Sequence, residues 1–287
     1  MDSHEFKVVA LLTVYNEEDI VGYVVNYLLS QGIYVHIIDN GSTDSTIYVL
    51  NRIDDDKLVI DLSQKELAYV DGEHVFALRD ILIYETKLAN TVYKDFDWII
   101  HYDADEIRIS PWSTLSLKDG IQKVDDAGYN AINFVVVDFV PTDNDYQGSP
   151  ESHFSWCRIR TPRPNYQVKA VKNHPSIDMV STFCHNIQRE ARLVYPDVFI
   201  TKHYSIRSQQ HGELKVFQSR QKQFSKAEKQ CRAHVQYDHL NVGDNFIFDP
   251  QTKTLKTSPY LHYATSFLHW EDDSVFEFIT SGKIYQR

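Results

Sequence analysis

Cysteine is scarce in this chain: Cys157, Cys184 and Cys231 are odd in number and form no CxxC pair, which excludes a disulfide framework and a zinc ribbon. A reducing cytoplasm is therefore the expected setting. Glycine (10) and proline (9) are few in 287 residues, so no stretch is collagen-like, linker-like or low in complexity. Long apolar runs are missing too. Segments such as residues 8–12 fall far short of the roughly 20 residues of a membrane span, and the opening MDSHEFK has neither the basic nor the apolar region of a secretion signal. The expectation is a cytoplasmic protein, with peripheral contact at the inner membrane face left open. Positive charge is in deficit, 29 Lys and Arg against 40 Asp and Glu, and a net charge of −11 repels phosphate backbones, so nucleic acid is not an expected partner.

What is present reads as an alternating α/β chain with ample material for a core. KVVALLTVY (7–15) is a short β-branched run of buried-strand type, and the NEED that follows supplies capping and first-turn acids for a helix from about Asp19 to Ser30. IYVHIIDN (33–40) is a second buried strand, STDST (42–46) a turn and N-cap leading to a helix through Arg52, and KLVIDLS (57–63) a third strand. Apolar residues from Val75 to Lys94 recur at helical spacing before a strand over Asp97–Tyr102. A helix at 117–128 then precedes AINFVVVDFV, which Pro141 ends. Beyond it, 141–200 predicts short strands at most, and 207–234 one polar, basic helix. The reading is one α/β domain over 1–287, with a mostly parallel central sheet flanked by helices and an irregular C-terminal half.

Two constellations carry chemistry. Asp103 and Asp105 close the strand DWIIHY, and in extended chain residues two apart project to one side, so both carboxylates are expected to face one ligand at the carboxyl end of a strand. Two hard oxygen donors there suit Mg²⁺ or Mn²⁺. Thr13, Tyr15, Asn16 and Glu17 end the first strand, and Asp39, Gly41, Ser42 and Asp44 end the second, on the same sheet edge. Such loops suit a nucleoside: a carboxylate accepts from base N–H or ribose hydroxyls, Tyr15 offers a stacking face and the glycine allows close approach.

TVYNEEDIVGYVV, IIDNGSTDST and DWIIHYDADE, in this order and separation, resemble the family 2 class of GT-A glycosyltransferases over residues 7 to about 140. KHYSIRSQQHGELKVFQSRQKQF (202–224) further resembles the branch of that class ending in a His-Tyr, Arg-Ser, Phe, Lys pattern. The resemblance implies a GT-A, Rossmann-like fold with residues 1–140 as the nucleotide-sugar half and 141–287 as the acceptor half. It implies a nucleotide-sugar donor, UDP-sugar favoured over GDP or dTDP, a DxD-bound divalent cation, and transfer to a hydroxyl of a glycan, glycolipid or glycoconjugate. On this chain Thr13, Tyr15 and Glu17 would line the nucleoside pocket, Asp39 the base, and Arg79 the nucleotide or its diphosphate. Asp103 would sit near the ribose or metal, Asp105 on the metal, and His203 would complete the metal shell. Lys202 and Arg207 would neutralise the departing diphosphate.

An inverting transfer needs a base for the acceptor hydroxyl. The class usually places it in an acidic pair well after the DxD, and no Glu-Asp pair occurs here between 150 and 205. The candidates are Asp138, leaving VVVDF, then His185, Glu190 and Asp178. Trp112, Trp156 and Tyr166 are candidate sugar platforms, and the locally basic stretch 153–175 a candidate phosphate or charged-acceptor contact. Two other functions stay in view: a non-catalytic nucleotide- or sugar-binding module of the same fold, and a nucleotidyltransferase. The latter wants a glycine-rich basic loop after the first strand, where this chain has the acidic TVYNEED.

Overall fold

A computed structural model describes residues 5–64, 69–70, 73–74, 77–161, 165–220, 237–253 and 264–270. In chain order the elements are β1 (Val8–Val14), α1 (Val21–Ser30), β2 (Tyr34–Asp39), α2 (Thr46–Leu50), β3 (Leu58–Asp61), β4 (Tyr69–Val70), β5 (Glu73–His74), α3 (Leu78–Asn90), β6 (Trp98–Asp103), β7 (Glu106–Ile109), α4 (Leu117–Asp126), β8 (Ala131–Phe139), α5 (Pro150–His153), β9 (Trp156–Thr161), β10 (Tyr166–Lys172), β11 (Phe199–His203), α6 (Gln209–Glu213) and β12 (Ala264–His269). The chain divides into two compact units. The first takes the described residues up to 64, then 77–135 and 166–201; the second takes 69–74, 136–165 and those from 202 on.

In the first unit the strand order is β8-β10-β6-β1-β2-β3. β6, β1, β2 and β3 are parallel neighbours, so both of their faces take cover, and the strands read as unbroken apolar runs rather than alternations. Val8 to Leu12 and Trp98 to Ile100 are fully buried. α1 packs Val21, Val24, Val25 and Leu28 inward, and α3 packs Ile81, Leu82, Leu88 and Ala89. One buried cluster joins Val9, Leu11, Ile99, Leu82, Leu88, Val168, Met179 and Cys184.

The expected parallel core flanked by helices is present, with one refinement after residue 141 and two helix boundaries corrected. Within 141–200, β10 is a seven-residue strand paired antiparallel to β6 and β8, which makes the sheet mixed with a parallel core. Gln167 and Lys169 broke its apolar pattern, yet both are buried. α1 starts at Val21 without a side-chain cap; of the acids of NEED, Glu18 turns its carboxylate to the Ser45 N–H in the loop after β2. The helix expected over 207–234 is α6, continued by a π-helical turn over Leu214–Arg220; its remainder and Cys231 lie outside the described residues.

In the second unit β8, β9 and β12 pair antiparallel. Ile206, Val216, Phe217, Tyr237, Leu240 and Phe246 form its own buried cluster. Gly212 in α6 lies so close to Phe246 that a Cβ there would meet the ring at 2.6 Å. Among the described residues no helix is long and apolar enough to cross a membrane.

Candidate functional site

The register of the parallel strands decides which residues meet. Thr13 pairs with Ile38 on one side and Asp103 on the other, and Val14 pairs with Asp39. The motifs 13–17, 39–46 and 103–105 thus sit at the carboxyl ends of three adjacent strands, where an α/β sheet binds its ligands. The first two are interlocked. Asn16 takes a left-handed conformation (φ 52°), and its Oδ1 accepts from the Thr43 N–H at 2.8 Å. The Asn16 N–H donates to Ser42 Oγ at 3.1 Å, the Glu17 N–H to Thr46 Oγ1 at 2.8 Å, and the Ser45 N–H to Glu18 Oε2 at 2.7 Å. Asp44 Oδ1 accepts from the Thr46 N–H at the start of α2. Asp39 is fully buried, its Oδ1 accepting from the Ser42 N–H at 3.1 Å beside Gly41 at φ 82°. Glu17 is buried and Tyr15 half-buried.

Asp103 is the last residue of β6, while Ala104 and Asp105 form the turn into β7. The premise that both acids project from extended chain is therefore corrected: the strand ends between them. Asp103 keeps 45% of its side chain exposed, and its Oδ2 receives the Lys169 ammonium at 2.9 Å. Burial would raise its pKa, but Lys169, with His101 and Arg108 beyond it, holds the carboxyl far below the usual range. Asp105 is buried.

Beneath Asp103 lies a polar relay. Thr13 Oγ1 donates to Glu85 Oε1 at 3.0 Å, and Glu85 Oε2 lies 2.6 Å from His101 Nδ1. His101 Nε2 stands 3.8 Å from Asp103 Oδ1, and the Cys184 thiol hydrogen-bonds the same imidazole. Burial alone would lower the His101 pKa, yet the Cys184 and Glu85 groups beside it push it up to about 10. The ligand atoms of Glu85, His101 and Cys184 all lie within 4.8 Å of one another, a buried cluster compatible with metal coordination. Sequence reasoning missed it because its members stand far apart, on α3, β6 and the loop before β11. One signal was there: Glu85 falls between Leu82 and Leu88 on the apolar stripe of α3.

Behind the acids, the fully buried Arg108 stacks 4.3 Å from the Tyr102 ring centroid and pairs with Glu106. Arg79, expected at the nucleotide, is exposed in the first turn of α3, and His185 and Glu190, expected as base candidates, are exposed. Asp178 accepts from the Val180 and Ser181 N–H groups as a turn former. Trp112 sits in edge contact with Tyr195 and Phe199, with the Lys123 ammonium 4.0 Å over its ring. Tyr166 is half-buried at the start of β10.

In the second unit, two residues expected in separate roles bond to each other: Asp138 Oδ1 lies 2.7 Å from His203 Nδ1. Asp138 also faces Arg158 Nε at 3.6 Å. The carboxylate is 8% exposed and the imidazole 21%, the arrangement of a buried acid that orients a more open histidine. Lys202 is ion-paired with Glu151, its ammonium 5.1 Å over the Trp270 ring. Arg207 is fully buried, donating to the Tyr204 carbonyl at 3.2 Å. Trp156 packs on Phe248 and His269.

No protein-family model matches the chain, and no curated protein does. Among solved structures it is similar to an apo UDP-glucose pyrophosphorylase, at 11% identity and a TM-score of 0.31 over 70% of this chain and 90% of that one. A mannose-1-phosphate geranyltransferase from Thermus thermophilus aligns at 8% identity and a TM-score of 0.27, over 59% of this chain and 51% of that one. A UDP-glucose pyrophosphorylase complexed with UDP-glucose aligns at 12% identity and a TM-score of 0.28, over 59% of this chain and 70% of that one. At these TM-scores nothing those proteins bind or catalyse transfers to this chain.

Proposed function

We propose that the first unit binds a nucleoside-diphosphate sugar, UDP-sugar favoured, along the carboxyl ends of β6, β1 and β2. We further propose that the chain is a metal-dependent glycosyltransferase of the family 2, GT-A kind, passing the sugar to a hydroxyl of a glycan, glycolipid or glycoconjugate. The observation that carries the reading is the register: Thr13 beside Asp103, and Val14 beside Asp39, bring the three motifs to one edge of a parallel sheet. A nucleoside entering there would meet Tyr15 as a stacking face and the 39–42 turn as a set of polar partners.

The donor set fits a hard divalent cation. Asp103 and Asp105 are carboxylates at a strand end, and Asp103 exposes nearly half its side chain. Mn²⁺ or Mg²⁺ held by these two acids would neutralise charge on the diphosphate. Lys169 fixes Asp103 from inside by holding one of its oxygens. The proposed acceptor base, Asp138, belongs to the second unit, where its Oδ1 lies 2.7 Å from His203 Nδ1.

A second reading, a nucleotide-sugar-binding module without transfer, draws support from Asp138, a carboxylate already engaged by His203 and Arg158. Calorimetric binding of UDP, GDP, dTDP and CDP, with Mn²⁺, Mg²⁺ or chelator, tests the shared part. One nucleotide should bind only with metal, and Asp105→Ala should abolish that binding. Binding indifferent to both refutes the site. Release of free sugar from the matching donor without acceptor then favours the transferase, its absence the binding module, and pyrophosphate-dependent breakdown of the donor a nucleotidyltransferase.

A further inference from the structure

We infer that Glu85, His101 and Cys184 form a binding site for a divalent transition metal of the Zn²⁺ class, separate in donor chemistry from the Asp103/Asp105 pair. The donors are one carboxylate, one imidazole and one thiol, all buried, with ligand atoms within 4.8 Å of one another. A mixed O, N, S set selects borderline metals such as Zn²⁺ or Co²⁺ over Mg²⁺, which takes oxygen. Charge also balances. With the thiol proton and the proton between His101 and Glu85 released to solvent, one carboxylate and one thiolate offset the two positive charges of the ion, leaving a neutral assembly in a buried place. The carboxylate is already steadied from outside, as a metal ligand usually is, by the Thr13 hydroxyl on Oε1.

The thiol reaches this position through unusual backbone. Phe183 and Cys184 are successive non-glycine residues in the left-handed region, at φ 47° and 57°, with the Cys184 N–H held by the Met179 carbonyl at 2.9 Å. The Ile187 N–H ties the far end of the loop to Val168 of β10. A metal here would join α3, β6 and this loop at one point, with a fourth position left for water, since the described residues supply three ligands.

The test is a metal titration of the full chain after treatment with chelator. One Co²⁺ per chain should bind with a near-ultraviolet thiolate-to-cobalt band that Zn²⁺ displaces. Zinc X-ray absorption should show one sulfur at about 2.3 Å with nitrogen or oxygen at about 2.0–2.1 Å. Asp105→Ala should keep the band and Cys184→Ser lose it, with folding checked by circular dichroism. Should Cys184→Ser not fold, the Cys157→Ser/Cys231→Ser double variant decides, because it leaves Cys184 as the sole thiol and should keep the band. Cobalt bound without a thiolate band, a zinc shell of oxygen and nitrogen alone, or a band lost from the double variant overturns the site and leaves a cluster held by protons only.

Discussion

Removing the carboxylate and removing the ammonium of the Asp103–Lys169 pair should have unequal effects, because the two groups are unequally buried. Lys169 is 4% exposed and Asp103 45%. Asp103→Asn leaves an ammonium inside the unit without its nearest counter-charge. Breaking a buried pair from one side costs about 3–5 kcal/mol, and the low end, about 3, applies because the Glu106 carboxylate also acts on Lys169. Lys169→Met keeps the volume and the apolar stem, and the carboxylate left behind turns to solvent on its open side, so the loss is about 1 kcal/mol or less. At about 2–4 °C per kcal/mol for a chain of this size, Asp103→Asn should lower the melting temperature by about 6–12 °C and Lys169→Met by less than about 4 °C. Adding Lys169→Met to Asp103→Asn should then recover stability, since the stranded charge is gone. Urea unfolding of the four proteins measures this directly. If Lys169→Met is as damaging as Asp103→Asn, or the double variant is the simple sum of the two, the buried-ammonium argument is wrong.

Other consequences follow from the same structure. His36 bridges Tyr93 at 2.7 Å and Asp61 at 3.4 Å. Burial would raise the Asp61 pKa, but hydrogen bonds from Ser63 and Tyr84 bring it to about 2, and burial lowers that of His36 below 6.5. Both groups bind protons more readily unfolded, so their contribution to stability should be complete above pH 6.5 and fall in two stages, below 6.5 and again from about 3.8 to 2. The Asp61 share is about 1–2 kcal/mol after solvent screening. Urea midpoints should show Asp61→Asn losing its share of the lower stage, to which Asp103 also contributes, and a variant profile parallel to the parent would refute the assignment. Gly212→Ala forces a Cβ to 2.6 Å from the Phe246 ring and 3.1 Å from Ile206, an overpacking expected to cost about 1–3 kcal/mol in thermal unfolding. Unchanged stability would mean that the ring moves aside freely. Arg108→Met removes the partner of buried Glu106 and should destabilise by about 3 kcal/mol, while Arg108→Met/Glu106→Gln should regain part of it; a double variant worse than the single one would contradict this.

The parallel half of the sheet was legible because its strands are covered on both faces, so Val8–Leu12, Val35–Ile38 and Trp98–Ile100 announce themselves as apolar runs ended by turn-forming or acidic residues. β10 was not, since Gln167 and Lys169 interrupt it with polar groups whose burial depends on partners remote in sequence. Lys169 looks like a surface residue until Asp103, 66 positions away, is set beside it. Local spacing also misassigned the acids of NEED. Capping preferences point Asn16 and the acids at the helix that follows, whereas Asn16, in a left-handed conformation, bonds Ser42 and Thr43, the Glu17 backbone N–H bonds Thr46, and the Glu18 carboxylate accepts from the Ser45 N–H. The bond between Asp138 and His203 spans 65 positions and has no sequence pattern at all.

The polar relay under Asp103 has a geometrical origin in the period of the strands. In the β1–β6 register Leu11 pairs with His101 and Thr13 with Asp103, and residues two apart share a face. That face carries α3, whose Leu82, Leu88 and Ala89 join Val9, Leu11 and Ile99 in one apolar cluster. Moving along the strands toward their carboxyl ends, Val9 and Leu11 give way to Thr13, and Ile99 gives way to His101 and Asp103, so the face changes from apolar to polar within two pleats. Glu85 stands on the same stripe of α3 as Leu82 and Leu88, at the level where the change occurs, and meets Thr13 and His101 there. The apolar packing of α3 thus fixes the height of Glu85, and Glu85 fixes the ring of His101 beneath Asp103. A substitution that shifts α3 along the sheet, such as Leu82→Ala, should therefore disturb the carboxyl-end residues without touching them, and ligand binding there should weaken by more than the loss of stability alone predicts.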